Sequence, residues 1–386
     1  MTSVRTARLR HEDYEGGVDQ LAEGLGGECV LAVVMASKKA GLTELLDRVA
    51  ARFPGACVLG ATTSGEFTED GDGNETASVF VASGDFKVFA GLGSGLGASP
   101  EHAVEEALRG QPLEIAGYPH RTGIVLLDPF AGHGEEAALL LATALGDQPL
   151  VGGAAGDDLV MKSTEVGLPG RVASDALVVA TLFSKRPLGI GVKHGHRSLS
   201  AESFRVTRAD GSVVLEIDGR PAWDVWREVA SERARSVGLD PEGKPGAFLL
   251  RFEAGLRVGG EFKVRAPLAP QPGGGILFAT PMEEGTVFHI MESDGSAQIE
   301  SALVAATRAR EALGGTRVAG ALVFDCICRK LILEDSFGGM LRQVSESLGG
   351  APLAGFETYG EIAMNSGDMS GFHNTTCVVL AFPEDD

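Results

Sequence analysis

Aromatic side chains are scarce in this sequence: Phe, Tyr and Trp make up only 6% of it, against 54 glycines. A core of stacked rings is excluded, so Ala, Val and Leu must fill it around many tight turns. Cysteine is sparse too, at Cys29, Cys57, Cys326, Cys328 and Cys377, an odd number at wide spacing. That excludes a disulfide framework. Positive charge is in deficit, with 33 Lys and Arg against 53 Asp and Glu and a formal net charge of -20. The basic residues are scattered, and such a surface repels phosphate backbones, so nucleic acid is not an expected partner. No apolar run approaches the length that spans a bilayer. The first ten residues carry charge with no apolar stretch after them, unlike a secretory signal. The expectation is a cytoplasmic protein without a membrane segment.

What the chain does have is length and a recurring pattern. At 386 residues it exceeds one typical domain, and two are expected. An apolar run at 29–35 fits a buried strand, and 42–53 shows helical spacing closed by Pro54-Gly55. A second run at 56–59 leads into Gly60-Ala61-Thr62-Thr63-Ser64-Gly65-Glu66. The same order recurs at 123–127, 135–145 and 150–151, ending in Gly152-Gly153-Ala154-Ala155-Gly156-Asp157-Asp158. It recurs again at 320–324, 339–348 and 352–354, ending in Gly355-Phe356-Glu357-Thr358-Tyr359-Gly360-Glu361. In this pattern Asp157 takes the place of Glu66 and Glu361. Runs at 76–82 and 86–90 flank Ser83-Gly84-Asp85, which predicts a hairpin. Between the second and third copies lie a helix with Trp223 and Trp226, several strands including Phe262-Lys263-Val264, and a helix over 296–313. A unit that cannot bury its apolar face alone packs on its copies. The expected fold class is α/β, two domains of repeated strand-helix-strand-turn-strand units, with mixed sheets and helices on the outer faces.

The three turns are the first candidates for chemistry. Glycines let a ligand approach the backbone, and hydroxyls and amides supply hydrogen bonds. A neighbouring carboxylate would hold an ammonium group. The plainer alternative is a tight turn whose acid takes local amides. His373 and Asn374 follow the third turn, His373 placed to face a ligand and Asn374 to brace the turn. Cys326-Ile327-Cys328-Arg329 is expected to end a strand, with both cysteines on one face and Arg329 on the other with Asp325. Two cysteines alone are a weak metal signal, and Arg329 is a candidate carboxylate clamp. His194 and His196 share a strand face and are candidate haem ligands, as either alone would suffice. Nucleotide motifs fail: Gly238 to Lys244 has the count of a phosphate loop, but Pro245 replaces the hydroxyl residue. Ser64 lacks the flanking residues of a hydrolase nucleophile.

Taken together, 54–66, 152–157, Asp218-Gly219-Arg220-Pro221-Ala222, Cys326-Ile327-Cys328-Arg329, 355–362 and His373-Asn374-Thr375-Thr376 resemble the FIST family over roughly 25–382. The resemblance implies an N-terminal FIST domain over 1–195 and a C-terminal one over 196–386. It implies an intracellular sensory protein in signal transduction that binds a small ligand such as an amino acid. On that reading the ligand lies between the repeats. Glu66, Asp157 and Glu361 line the site, Thr62, Thr63, Ser64, Thr358 and Tyr359 supply hydrogen bonds, and Arg329 and Asn374 orient. Some members are haem proteins that sense nitric oxide and act on a histidine kinase, so His194, His196, His289 and His373 are the alternative ligands. This chain carries no output domain that the sequence reveals, so a separate partner such as a histidine kinase is expected. A hydrolase using the carboxylate turns is the remaining alternative; no enzyme activity is expected on the leading reading.

Overall fold

A computed structural model describes residues 1–146, 148–364 and 371–384. The chain is mixed α/β, as the sequence implied. Three stretches share one connectivity. Each has a central strand (Cys29–Ser37, His120–Leu127, Val318–Cys326), a helix (Leu42–Arg52, Gly134–Leu145, Phe337–Ser347) and a parallel strand (Cys57–Thr63, Leu150–Ala154, Leu353–Thr358). Each then has a short hairpin opening at Glu66, Val166 or Glu361, and a returning strand (Ala77–Ser83, Ala176–Ser184, Thr376–Pro383) antiparallel to the central one.

The stretches interlock cyclically into three six-stranded sheets. The hairpin of each stretch adds to the parallel strand of another: Val166–Leu168 to Cys57–Thr63, Glu361–Met364 to Leu150–Ala154, and Glu66–Thr68 to Leu353–Thr358. The expected hairpin around Gly84 does not form. Strand Phe86–Ser94 leaves for the second sheet and pairs with Ala176–Ser184. The reason is edge availability: Ala77–Ser83 is already flanked by Ser3–Leu9 and Cys29–Ser37, so it has no free ladder to offer. Gly189–His194 likewise crosses to Thr376–Pro383.

All three sheets turn one face inward onto a shared apolar cluster that includes Met35, Leu59, Phe80, Leu126, Val151, Val178, Phe324 and Phe356. Their other faces carry the helices, and the alternation of side chains along each strand feeds both layers. At Gly60, Gly152 and Gly355 the parallel strand presses on its central neighbour. An added Cβ would fall 2.3, 1.8 and 2.1 Å from the carbonyl oxygens of Val34, Val125 and Val323.

After His194 the chain leaves this assembly and builds a nine-stranded sheet between Arg197 and Glu292. Its own core surrounds Trp226, stacked on Phe288 at 5.6 Å with Nε1 donating to the Phe252 carbonyl at 3.1 Å. Helix Gly295–Glu311, capped by Asp294, returns to the third stretch. There Gly189 and Gly191 let the carbonyls of Ala309 and Ala305 approach. Among the described residues no helix is long and apolar enough to cross a membrane.

Candidate functional site

The three turns meet at one end of the assembly in a closed ring of backbone hydrogen bonds. Gly156 and Asp158 N–H donate to the carbonyls of Thr62 and Thr63 at 2.8 and 3.1 Å; Tyr359 N–H donates to Ala154 at 3.1 Å; Ser64 N–H donates to Glu357 at 3.3 Å. The ring is packed rather than hollow. Glu66 accepts from the Thr63 hydroxyl and from the Thr76 hydroxyl and amide at 2.7 and 3.3 Å. Glu361 accepts from the Thr358 hydroxyl and from Thr376 N–H at 3.0 Å. Burial pushes the Glu66 carboxyl up to about 7 and raises Glu361 strongly. Three clefts, of about 830, 720 and 630 Å³, are lined by none of Glu66, Asp157 or Glu361.

The strand registers correct the place given to Asp157. Gly60, Gly152 and Gly355 pair with Gly167, Ile362 and Phe67, so the position of Glu66 and Glu361 is held by Val166 in the second stretch. Asp128 supplies the carboxylate there, accepting from Asp175 N–H at 2.7 Å and the Thr164 hydroxyl at 2.5 Å. Asp157 instead clasps the loop that follows it. Its carboxylate accepts from the amides of Met161, Lys162 and Ser163 at 2.9, 2.6 and 3.0 Å and from the Tyr359 hydroxyl at 2.6 Å. Burial raises its pKa, but the Tyr359 hydroxyl and the three amides outweigh that and hold it below the usual range.

The strand expected through Cys328 ends at Cys326, and helix Ile327–Leu333 begins there. Helical spacing brings Arg329 back over Asp325 instead of placing it on a strand face. Arg329 is fully buried, with Nε donating to Asp325 at 2.7 Å and its other nitrogens to Ser301 and to the side chain and carbonyl of Gln298. The guanidinium is committed to tying helix Gly295–Glu311 to the sheet.

His194, His196 and His373 are buried. Burial pushes His194 down to about 4 and His373 to about 3, and lowers His196 well below its usual value. His194 Nε2 lies 2.9 Å from the Phe262 carbonyl, and His289 packs edge-on against Phe262 at 5.4 Å. None of the three large clefts is lined by any of these four histidines.

The cleft of about 720 Å³ lies between the helix Gly134–Leu145 end of the second stretch and the nine-stranded unit. Glu135, Lys263, Arg265 and Phe372 meet in it, with Leu256 and Met282 as apolar wall. Lys263 Nζ donates to Glu135 at 2.7 Å, and Arg265 Nη2 donates to the other carboxylate oxygen. Arg265 is 2% exposed; Nη1 reaches the Phe372 carbonyl at 3.0 Å, while its Nε is buried without a partner. Burial raises the Glu135 carboxyl, but the charges of Arg265 and Lys263 outweigh it and keep it ionised. The triad holds two cations against one carboxylate. Glu136, paired with His133, and Glu283 sit on its more exposed margin. Asn374 braces the wall, its Oδ1 accepting from Ala266 N–H at 3.3 Å and from the Thr280 hydroxyl at 3.1 Å.

Of the residues singled out from the sequence, Asn374 alone abuts this cleft; Thr62, Thr63, Ser64, Glu66, Asp157, Thr358, Tyr359 and Glu361 belong to the ring. Glu135, Lys263 and Arg265 escaped the sequence reading. The available signal was a Lys-x-Arg pair on one strand face; its partner lies 128 residues away.

Family models of the FIST N domain and the FIST C domain match residues 30–220 and 222–364. An uncharacterized protein of Mycobacterium tuberculosis is 25% identical over 394 residues, covering 97% of this chain and 96% of its own. An uncharacterized protein of Mycobacterium bovis is 28% identical over 195 residues, 47% of each chain. Among solved structures, a cyanuric acid hydrolase from A. caulinodans is similar with a TM-score of 0.31 at 10% identity, covering 100% of both chains.

Proposed function

Since the chain belongs to the FIST family, whose domains are associated with sensory signal transduction, we propose that it senses a small zwitterion, an amino acid or a close analogue, in the cleft between its two units. The observation that carries this reading is the Glu135–Lys263–Arg265 triad. Its excess positive charge, in a protein of net charge -20, favours a ligand carboxylate. That carboxylate would take the Lys263 ammonium beside the Arg265 guanidinium, and Glu135 would take the ammonium group. A concave site at a domain boundary, with apolar walls and a few convergent polar groups, is the usual form of a small-ligand pocket. Its two walls belong to different units, so occupancy couples their relative position. The ring of turns is the frame that holds the second stretch in place.

A thermal-shift screen of amino acids tests this. Ligand at a hundredfold excess over Kd stabilises by about 2.7 kcal/mol, a shift of several degrees. Lys263→Met abolishes the shift, and Glu66→Gln, remote from the cleft, leaves it. No stabilisation by any amino acid, or a response indifferent to Lys263→Met, overturns the reading.

A further inference from the structure

Cys326 ends the central strand of the third stretch and stands as N-cap of helix Ile327–Leu333; Cys328 lies in the first turn. Both side chains are buried, at 2% and 6% exposure. They form one cluster with Ile327 and with Ala266, the residue after Arg265, so the pair sits where the nine-stranded unit meets the third sheet. Cys377 is not part of it: its packing lies in the cluster beneath helix Phe337–Ser347. Cys29 and Cys57 belong to the first stretch. Residues two apart across a helical position have Cα atoms about 5.4 Å apart, inside the roughly 4.4–6.8 Å range of disulfides.

We propose that Cys326 and Cys328 are a dithiol–disulfide pair, an oxidation site at the contact between the two units. Cys328, 6% exposed, is the more accessible of the two. Its sulfur attacks a low-molecular-weight disulfide such as oxidised glutathione, forming a mixed disulfide and releasing one glutathione thiol. Cys326 then attacks the Cys328 sulfur; the S–S bond closes and the second glutathione leaves with the proton from Cys326. The two protein thiols are oxidised and one glutathione disulfide is reduced to two thiols. The inference does not depend on the ligand assigned to the cleft.

The test is oxidation of the full chain with excess oxidised glutathione at pH 9, since high pH raises the thiolate fraction that thiol–disulfide exchange requires, followed by denaturation, alkylation and mass spectrometry. The expected product is lighter by two hydrogens, has lost two of its five alkylatable thiols, and carries Cys326 and Cys328 linked within one peptide. Dithiothreitol restores all five. Cys328→Ser slows the thiol loss at least tenfold, Cys326→Ser stops at a glutathione adduct on Cys328, and Cys377→Ser leaves closure unchanged. If Cys326→Ser does not fold, Cys328→Ser decides alone. Five alkylated thiols after prolonged oxidation, a glutathione adduct that never closes, or a bond to Cys377 overturns the proposal.

Discussion

Removing the Asp157 carboxylate should open the loop it clasps while leaving the rest of the fold standing. Asp158, Leu159 and Met161 all adopt positive φ, at 57, 61 and 58°, a conformation that costs a non-glycine residue about 1 kcal/mol. The loop therefore stores about 3 kcal/mol of backbone strain over three residues. Against this stand four hydrogen bonds to an ionised acceptor, from Met161, Lys162, Ser163 and Tyr359, worth about 1.5 kcal/mol each. The balance favours the closed loop by about 3 kcal/mol, or about a hundredfold. Asp157→Ala deletes the favourable side and leaves the strain. Hydrogen exchange read by NMR should then show the amides of Met161, Lys162 and Ser163 losing about a hundredfold protection, with Asp157→Asn in between. Global urea unfolding should fall by about 3 kcal/mol and not by the whole value of the lost bonds, since opening relieves the strain. Protection at 161–163 unchanged within threefold would refute the argument. The depressed pKa fixes the pH sense: the clasp is present above the ordinary value of 3.8 and is lost as pH falls through the lower folded value.

Gly152→Ala drives a methyl group into the Val125 carbonyl at 1.8 Å, and urea denaturation should show a loss of about 3 kcal/mol. Gly246→Ala, in open space on a helix, should be neutral or gain about 0.5 kcal/mol. Burial raises Glu66, Glu253 and Glu357 to about 7, 8 and 9 from 4.5. The folded state thus holds protons that the unfolded state has lost, and stability must fall as pH rises from 4.5 through these values. The urea midpoint is expected to drop between pH 5.5 and 8.5, and Glu66→Gln to flatten the part below 7; a midpoint that rises over this range contradicts the assignment.

Local pattern revealed the units but not their partners. The strand at 29–35, the helix after it and the turn at 60–66 are each set by apolar periodicity and Pro-Gly punctuation, which act over a few residues. The destination of Phe86–Ser94 depends on which sheet edge is free, and a hairpin signal carries no information about that. Asp157 was grouped with Glu66 and Glu361 because all follow glycine; only the pairing of Gly60 with Gly167 shows that Val166 is their counterpart. Cys326-Ile327-Cys328 continues an apolar strand run, yet the chain turns helical at Ile327 because Arg329 finds Asp325, Gln298 and Ser301 inside. The cleft was least legible: Lys263 and Arg265 look like surface charges on a strand until the second stretch brings Glu135 against them.

The reading of the cleft turns on Glu135 as the group that recognises an ammonium ion. Its direct test is calorimetry of the best-responding amino acid and its deaminated analogue with the wild-type protein and with Glu135→Gln. A charge-assisted hydrogen bond is worth about 1.5–3 kcal/mol, so the wild-type protein should prefer the amino acid by at least about tenfold. Glu135→Gln should lose that preference while still binding the analogue through Lys263 and Arg265. An equal preference in both proteins, or no binding of either compound, would contradict the account.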